Sequence, residues 1–409
     1  MKVLVVATHI YNKEIYSTKS MVNGLAIMIK DIFDQVSLIW ECYGYATNSF
    51  SYKNNDDRFK LLSSTKWDYV KTLSLADCLW LIKEYKAFSR SFKELIFSRM
   101  SRNLFLKYYN QVKPDIVNFH DLSEINSQLM DLCDQLAIPY ILTNHLYVGK
   151  KNKNETYKTL EILENNFFNK GKINVSVVSS GVKKRILMDY PNIKASSIRV
   201  IGNGTNIVNK NTKSISSING SRVICLCIGN IMARKNQAQL INAVQLLPDE
   251  VRKQLVILFI GEDKTLGFAD QIKHSDCSET LQYVGPVPYE DMDKYYSKAD
   301  YTITVSLNEG FGLTIIEGFV YGVPAILYED LDSFDDIYDD KSCLAIRERD
   351  DLSLAKALER AVNLRDTWDR DYIQKYSERF SMQQVGEKYV EMFNEIINNS
   401  YNEKSTNNC

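Results

Sequence analysis

Nowhere in its 409 residues does this chain hold an apolar run approaching the roughly 20 residues that cross a bilayer as a helix, so no membrane span is expected. Net charge is also lacking: 50 Lys and Arg against 51 Asp and Glu leave a formal −1, too little to gather nucleic acid or to hold the whole chain on a lipid surface. Any basic surface must be local. The eight cysteines are scattered and include no C-x-x-C. The one close pair, Cys225 and Cys227, lies inside an apolar run, so reduced, buried thiols are expected rather than a metal or redox site. The chain goes directly into KVLVVAT without a charged leader and cleavage site, which gives a cytoplasmic expectation.

What is present is alternation. Strand-length apolar runs at Lys2 to Thr8, Val36 to Trp40, Asp115 to Phe119, Tyr140 to Thr143 and Val175 to Ser179 are separated by helical patterns. A second series follows at Arg222 to Ile228, Leu255 to Ile260, Leu281 to Val284, Tyr301 to Ser306 and Pro324 to Tyr328. This order predicts an α/β chain with two parallel sheets, since parallel strands need helical crossovers. Between the series, residues 205 to 220 read TNIVNKNTKSISSING, in which twelve of sixteen are Thr, Asn, Lys, Ser or Gly, a linker composition. The organisation expected is an N-terminal Rossmann-like domain over 1–205, a linker over 206–220 and a C-terminal Rossmann-like domain over 221–380. A helix and polar tail over 381–409 follow, with Val385, Tyr389, Met392, Phe393 and Ile396 at helical spacing. Two such halves leave a cleft where strand ends from both can face one ligand.

The most informative stretch is ITVSLNEGFGLTIIEGFVYGVPAILYE, from Ile303 to Glu329. It reads strand, glycine loop, helix, Gly-x-Pro turn, strand. Gly310 and Gly312 allow a sharp turn and close approach to a ligand, and the helix from about Leu313 offers unpaired N–H groups and a positive dipole end. Glu309 before the loop and Glu317 within the helix can send two carboxylates to different parts of that ligand. The loop lacks the third glycine of a dinucleotide fingerprint and follows a late strand, which argues against a dehydrogenase. A lone Gly-x-Gly is otherwise just a tight turn. A second cluster, CIGNIMARKNQAQL, ends a strand at Gly229 and places Arg234 and Lys235 in the strand-to-helix loop, where cations suit a diphosphate as well as solvent. Three of the four histidines, His9, His120 and His145, each end a predicted N-terminal strand. Zinc ligation has no diagnostic spacing here, and cleft-lining polar groups are the better reading, with His120 beside Asp121 the first candidate for orienting a substrate.

On these residues the chain resembles the retaining glycosyltransferases of the GT-B fold, of the family 4 type, or glycosyl transferases group 1. The similarity runs through Gly229 and Lys235, F-I-G-E at Phe259 to Glu262, YVGPVPYEDMDKYYSKAD at Tyr283 to Asp300, and S-x-x-E-G-F-G-L-x-x-x-E with G-V-P. More loosely it extends to PDIVNFHD, IPYILTNH, Ser179-Ser180 and IGNGTN. The resemblance implies transfer of a hexose from a nucleotide-diphosphate sugar, UDP favoured, to a glycan, glycolipid or protein acceptor with retention of configuration, in bacterial surface polysaccharide or glycoconjugate synthesis. It implies that Glu309 and the segment Gly310, Phe311, Gly312, Leu313 hold the donor sugar and phosphates. Glu317 would hold the ribose, Lys235 would neutralise the diphosphate, and His120 would touch the transferred sugar. It implies no metal cofactor. The donor side would lie in the C-terminal domain and the acceptor side in the N-terminal one.

The chain departs from the family pattern in two places. Gly229 is followed by Asn230 where the family often has arginine, so one phosphate contact is either absent or moved to Arg234. The paired glycines expected after the first strand are missing from HIYNKEIYSTKS, where Lys19 or Ser20 is the substitute expected. Asp330-Leu331-Asp332 has the Asp-x-Asp form of the other large glycosyltransferase fold, but within Glu329 to Asp340 it reads as a solvated acidic loop. Lys83 to Lys113 holds eight basic residues against two Glu, with Tyr85, Phe88, Phe92 and Leu95 at helical spacing. That segment suits a core-packed helix or peripheral contact with anionic lipid at the inner membrane face, as a lipid-linked acceptor would require. A non-catalytic GT-B subunit that stabilises an active partner is the alternative from a different class; a phosphorylase lacks its lysine context.

Overall fold

The computed structural model describes residues 1–10, 24–47, 59–62, 66–87, 92–150, 157–171, 173–207 and 222–406. Lys19, Ser20 and residues 208–220 of the expected linker lie outside these. The first sheet comprises β1 (Lys2–Ala7), β2 (Glu41–Ala46), β3 (Phe59–Leu61), β4 (Ile116–His120), β5 (Tyr140–Asn144), β6 (Val175–Val177) and β7 (Ile198–Val200), all parallel, in the order β3-β2-β1-β4-β5-β6-β7. The second comprises β8 (Val223–Ile228), β9 (Leu255–Ile260), β10 (Leu281–Gly285), β11 (Tyr301–Thr304), β12 (Ala325–Tyr328) and β13 (Cys343–Ile346), also parallel, ordered β10-β9-β8-β11-β12-β13.

One predicted strand is corrected. Val36 to Trp40 is not extended: the helix Gly24–Val36 runs to its start and the chain then turns into β2. Val36 and Trp40 point inward while Leu38 and Ile39 stand exposed, the signature of a corner and not of a buried strand. The edge strands β3, β7 and β13 are too short to stand out by pattern.

Residue alternation along the strands divides the N-terminal core into two layers. Val117, Phe119, Leu142, Val175 and Val177 join the core on one face, whereas Ile116 and Ile141 join the other, together with Met28, Ile32 and Phe33 of the Gly24–Val36 helix. That second layer is closed by the chain's last helix, Met382–Thr406, which returns from the C-terminal domain and contributes Val385, Tyr389, Phe393 and Ile396. A Cβ on Gly386 would lie 2.9 Å from Cβ of Gln35, so the glycine permits this close helix crossing. The crossover is pinned where Thr205 N–H donates to the Phe380 carbonyl at 2.8 Å.

All described cysteines are free thiols; six are buried and Cys78 is exposed. No helix among the described residues is long and apolar enough to cross a membrane.

In each sheet strand order reverses between two neighbours, β1 and β4 in the first, β8 and β11 in the second. A crevice opens at the carboxyl ends of such a pair, the usual ligand position in open parallel sheets. His9 and His120 end the first pair; Gly229 and the loop to Glu309 end the second.

Candidate active site

At the second reversal point the backbone of Gly229 takes φ +134°, and a Cβ there would meet the Lys235 side chain at 3.7 Å. The glycine thus lets the lysine fold back over the end of β8. Lys235 Nζ bonds Glu309 Oε2, which also accepts from Ser306 Oγ at 3.2 Å. Arg234 donates to the Asn308 carbonyl at 3.2 Å, and its own carbonyl accepts from Leu307 N–H at 2.8 Å. Two cations from one loop and a carboxylate from the next therefore converge. Burial pushes the Glu309 carboxyl up, but Lys235, Arg234 and Ser306 outweigh it and hold the group below the ordinary glutamate value. It is a fixed anion bound to a fixed cation.

Asn230, where arginine was the expected residue, has a local role: its Oδ1 accepts from Glu262 N–H at 3.2 Å and ties the β8 loop to the β9 loop. Arg349 was not foreseen. Its guanidinium donates to the carbonyls of Ser306 (2.8 Å) and Val305 (3.3 Å) and pairs with Asp330 at 2.6 Å, bracing the strand end beneath the glycine loop. It sits outside every motif, so only the fold brings it in.

Within the loop, Gly312 has φ +95° and precedes the helix Leu313–Val320 as its cap. Gly310 serves a different need. A Cβ there would overlap the carbonyl oxygen of His145, so the glycine loop lies directly against the N-terminal domain. Phe311 is buried and turned inward: a Cβ on Gly202 would be 2.9 Å from its ring, and its ring meets Phe380 edge-on at 6.2 Å. Its side chain anchors the interface. Leu313 is half-buried and packs on both cores.

Glu317 lies in the following helix turn and faces a cavity of about 230 Å³ lined by Thr205, Asn206, Tyr289, Tyr296 and Tyr321 among others. Burial pushes its carboxyl up to about 7, against the Tyr296 hydroxyl that donates to it at 2.6 Å. Unlike Glu309, it pairs with no cation among the described residues.

The histidines do not share one environment. His120 is fully buried, its Nε2 3.0 Å from Asn118 Nδ2 and its Nδ1 2.9 Å from His145 Nε2, and burial and the neighbouring His145 hold its basicity well below normal. The structure thus places it behind His145 and not at the cleft surface. His145 is 9% exposed; burial lowers its pKa to about 4, partly opposed by the Asn203 side chain, and its Nδ1 is itself buried. Asp121, in a left-handed conformation at φ +67°, accepts from the His145 backbone N–H, and burial raises its carboxyl to about 7. Glu164 was also missed: fully buried, it accepts from Val148 N–H (2.8 Å) and Gly149 N–H (2.9 Å), ordering the segment after His145. His9 is half-buried after β1.

The acidic segment is a second correction. Asp336 Oδ2 accepts from Ser180 N–H and Oγ at 2.8 and 2.9 Å, Asp332 pairs with Arg185 at 2.6 Å, and Gly181 N–H donates to the Asp332 carbonyl at 2.9 Å. These acids cap the helix Ser180–Asp189 of the other domain, because a helix N-terminus presents free N–H groups that favour an anion. They clasp the domains and are not simply solvated. Asp330 and Asp332 are each engaged by an arginine, and no group of three His, Cys, Asp or Glu among the described residues could hold a metal.

The basic segment is described only in part. The Tyr85, Phe88 and Phe92 side chains lie outside the described residues; Leu95 is buried, and Arg99 pairs with buried Asp77.

Comparison with known proteins fits this geometry. Residues 208–380 match the family model described as Glycosyl transferases group 1. O-antigen chain mannosyltransferase B of Escherichia coli is 35% identical over 105 residues; that match spans 25% of this chain and 27% of the mannosyltransferase's length. Sucrose-phosphate synthase from Thermosynechococcus elongatus superposes with a TM-score of 0.72 at 15% identity over 97% of this chain and 99% of that one. Anabaena HepE in complex with UDP and glucose does so at 0.66 and 14% identity over 97% and 100%. The chain has the two-domain GT-B fold, and its residues 208–380 are similar to the glycosyl transferases group 1 family.

Proposed function

We propose that this protein transfers a hexose from a nucleotide-diphosphate sugar to a glycan or lipid-linked acceptor, in assembly of a surface polysaccharide of the O-antigen or lipopolysaccharide kind. The observation that carries this reading is the convergence of Arg234, Lys235 and Glu309 on the glycine loop, directly against the His145 carbonyl of the facing domain. UDP is the favoured nucleotide, in line with the UDP that HepE holds on the same fold. Likeness to a mannosyltransferase segment makes a mannose donor the first competitor.

In this reading Lys235 and Arg234, with the N–H groups of Gly310 to Leu313, bind the diphosphate. Breaking the sugar–phosphate bond leaves negative charge on it, so fixed cations and amides stabilise the transition state more than the ground state. Glu309 keeps the lysine ammonium in place and accepts from donor-sugar hydroxyls. Glu317, ionised, accepts from the ribose hydroxyls in the tyrosine-lined cavity. His145, neutral and the outer of the two paired histidines, is the group suited to hydrogen-bond the transferred sugar. The leaving phosphate takes the acceptor proton at the front face, giving retention without a protein nucleophile and without a metal.

The acceptor belongs on the N-terminal side. There Leu75, Leu79 and Ile82, at i, i+4 and i+7 of the helix Leu75–Ala87, are 79%, 63% and 54% exposed beside the basic segment. That pairing of apolar stripe and positive charge supports peripheral contact with anionic lipid.

Purified protein incubated with UDP-glucose, UDP-galactose and GDP-mannose tests the assignment. Release of nucleoside diphosphate from one of them, abolished in Glu309→Ala, is the expected result. No turnover and no nucleotide binding would leave the non-catalytic subunit.

A further inference from the structure

His145 is followed by a segment, Leu146 to Lys150, that leans on the glycine loop of the other domain. The His145 carbonyl fills the space a Cβ on Gly310 would need, and Asn308 Nδ2 comes within 3.5 Å of the Tyr147 carbonyl. The segment belongs to no helix or strand, so the side chains around it set its shape. Glu164 accepts the N–H groups of Val148 and Gly149, and Asp189 accepts the Tyr147 hydroxyl at 2.7 Å and the Lys150 N–H at 3.2 Å. Both acids belong to the N-terminal domain. They shape the segment without tying it to the other domain.

Arg185 does both. One arm of its guanidinium, Nη2, donates to the Val148 carbonyl at 2.9 Å, while the other, Nη1, pairs with Asp332 of the C-terminal domain at 2.6 Å. The guanidinium carbon also lies 5.2 Å from the centre of the Tyr147 ring. Gly149 makes room for this approach: its φ is +81°, and a Cβ there would come within 3.2 Å of Arg185 Nη2. A planar fork holds two acceptors in fixed directions, whereas a lysine ammonium is a point charge on a flexible stem. Clasping the domains would need only the Asp332 arm, and a part-exposed ion pair by itself contributes little to stability. The second arm is therefore the informative one.

We propose that Arg185 is a positioning residue of the active site: its fork passes the register of the domain clasp to the segment after His145, and so sets how closely the His145 carbonyl backs the glycine loop that carries Glu309. Arg185 acts through Val148 and touches no substrate. The link rests on this geometry; its effect on catalysis rests on the glycosyl-transfer reading. Arg234, Lys235 and Glu309 hold one another within the C-terminal domain. Loosening the link thus leaves the cations in place and displaces only the wall behind the glycine loop, so kcat falls and nucleotide binding does not.

Substitutions in the full-length protein separate the link from the clasp. Arg185→Lys keeps a charge beside Asp332 and loses the two-way fork. Asp332→Ala removes the far anchor and keeps the backbone carbonyl that Gly181 N–H meets. Asp336→Asn weakens the clasp at Ser180 without touching Arg185. Arg185→Lys and Asp332→Ala should each lower kcat by about ten- to a hundredfold with donor KM within about twofold, the cost of a small misplacement at the reacting groups. Their double variant should be no worse than either alone, since both cut one link. Asp336→Asn should hold kcat within about twofold, because the fork is intact. Amide hydrogen exchange at Gly310 to Leu313 should quicken in the first two variants and not in Asp336→Asn. Unchanged kcat in both link variants of an active protein, losses that multiply in the double variant, or an equal loss in Asp336→Asn would overturn the proposal. So would unchanged exchange in both link variants. Quickened exchange in those two alone, with no nucleotide sugar turned over by the wild type, keeps the link and removes the glycosyl-transfer reading.

Discussion

The two sides of the cleft handle polar chemistry in opposite ways. On the C-terminal side, charge is kept by pairing: Glu309 stays ionised in a half-buried position because Lys235 and Arg234 are at hand. On the N-terminal side, charge is removed by burial: His120 and His145 are neutral in a shared network, and Asp121 is raised to about 7. A diphosphate needs fixed positive charge that does not reorganise, whereas a sugar hydroxyl needs neutral donors and acceptors in fixed orientation. Under the proposed function, the contrast would map the two halves of a nucleotide sugar onto the two domains.

The largest expected effect breaks the charged side. Lys235→Ala removes the cation that holds Glu309 and that the proposed function sets against the leaving diphosphate, and should lower kcat by about 10²- to 10³-fold, comparable to losing one preorganised donor at a developing charge. Steady-state transfer assays check it; a loss under threefold would mean the ion pair is structural. On the neutral side, His145→Ala should cost about 10²-fold in kcat, while His145→Gln, which keeps a hydrogen-bonding side chain, should recover part of it.

Glu317 separates the two regimes within one domain, since it pairs with no cation among the described residues. Burial pushes its carboxyl up to about 7, and under the proposed function the ionised form is the one that accepts from ribose hydroxyls. Donor KM should consequently rise as pH falls from 8 to 6, by about tenfold, the drop in the ionised fraction across a pKa of 7. Glu317→Gln should have a weak donor KM that does not follow pH. Glu309, held low by its partners, should add no such dependence in this range.

A smaller effect concerns the clasp. Asp336→Asn keeps an acceptor at the Ser180 N-terminus but loses its charge, and should lower the apparent melting temperature by about 1–3 °C, as befits a partly screened helix-end anion. Smallest of all, Leu75, Leu79 and Ile82 together changed to Ser should leave donor hydrolysis unchanged and abolish co-sedimentation with anionic vesicles. Undiminished binding would move the membrane contact elsewhere.

The same contrast explains what could be read from sequence. The C-terminal site is legible because its residues cluster along the chain: Gly229 to Lys235 is one loop, Glu309 to Glu317 another, and the chemistry of each is local. The two-sheet fold was legible from alternating apolar runs, apart from the corner at Val36 to Trp40 and the short edge strands. The N-terminal site is assembled from Asn118, His120, Thr143, His145 and Ser176, spread over three strands and their ends, and no local pattern connects them. Sequence drew attention to His120 because it stands beside an acid at a strand end. Burial and register decide that His145 is the outer residue of the pair. Asp332 and Asp336 failed as surface charges for a similar reason, since the helix they cap lies in the other domain.

If the glycine loop with Arg234 and Lys235 is a diphosphate site, thermal shift with uridine, UMP and UDP will show it. A ligand that binds only the folded protein stabilises it in proportion to its affinity. Stabilisation should increase steeply at UDP, and Lys235→Ala should bring UDP down to the level of UMP. Equal shifts for uridine and UDP in the wild type, or none for any nucleotide at millimolar concentration, would contradict it.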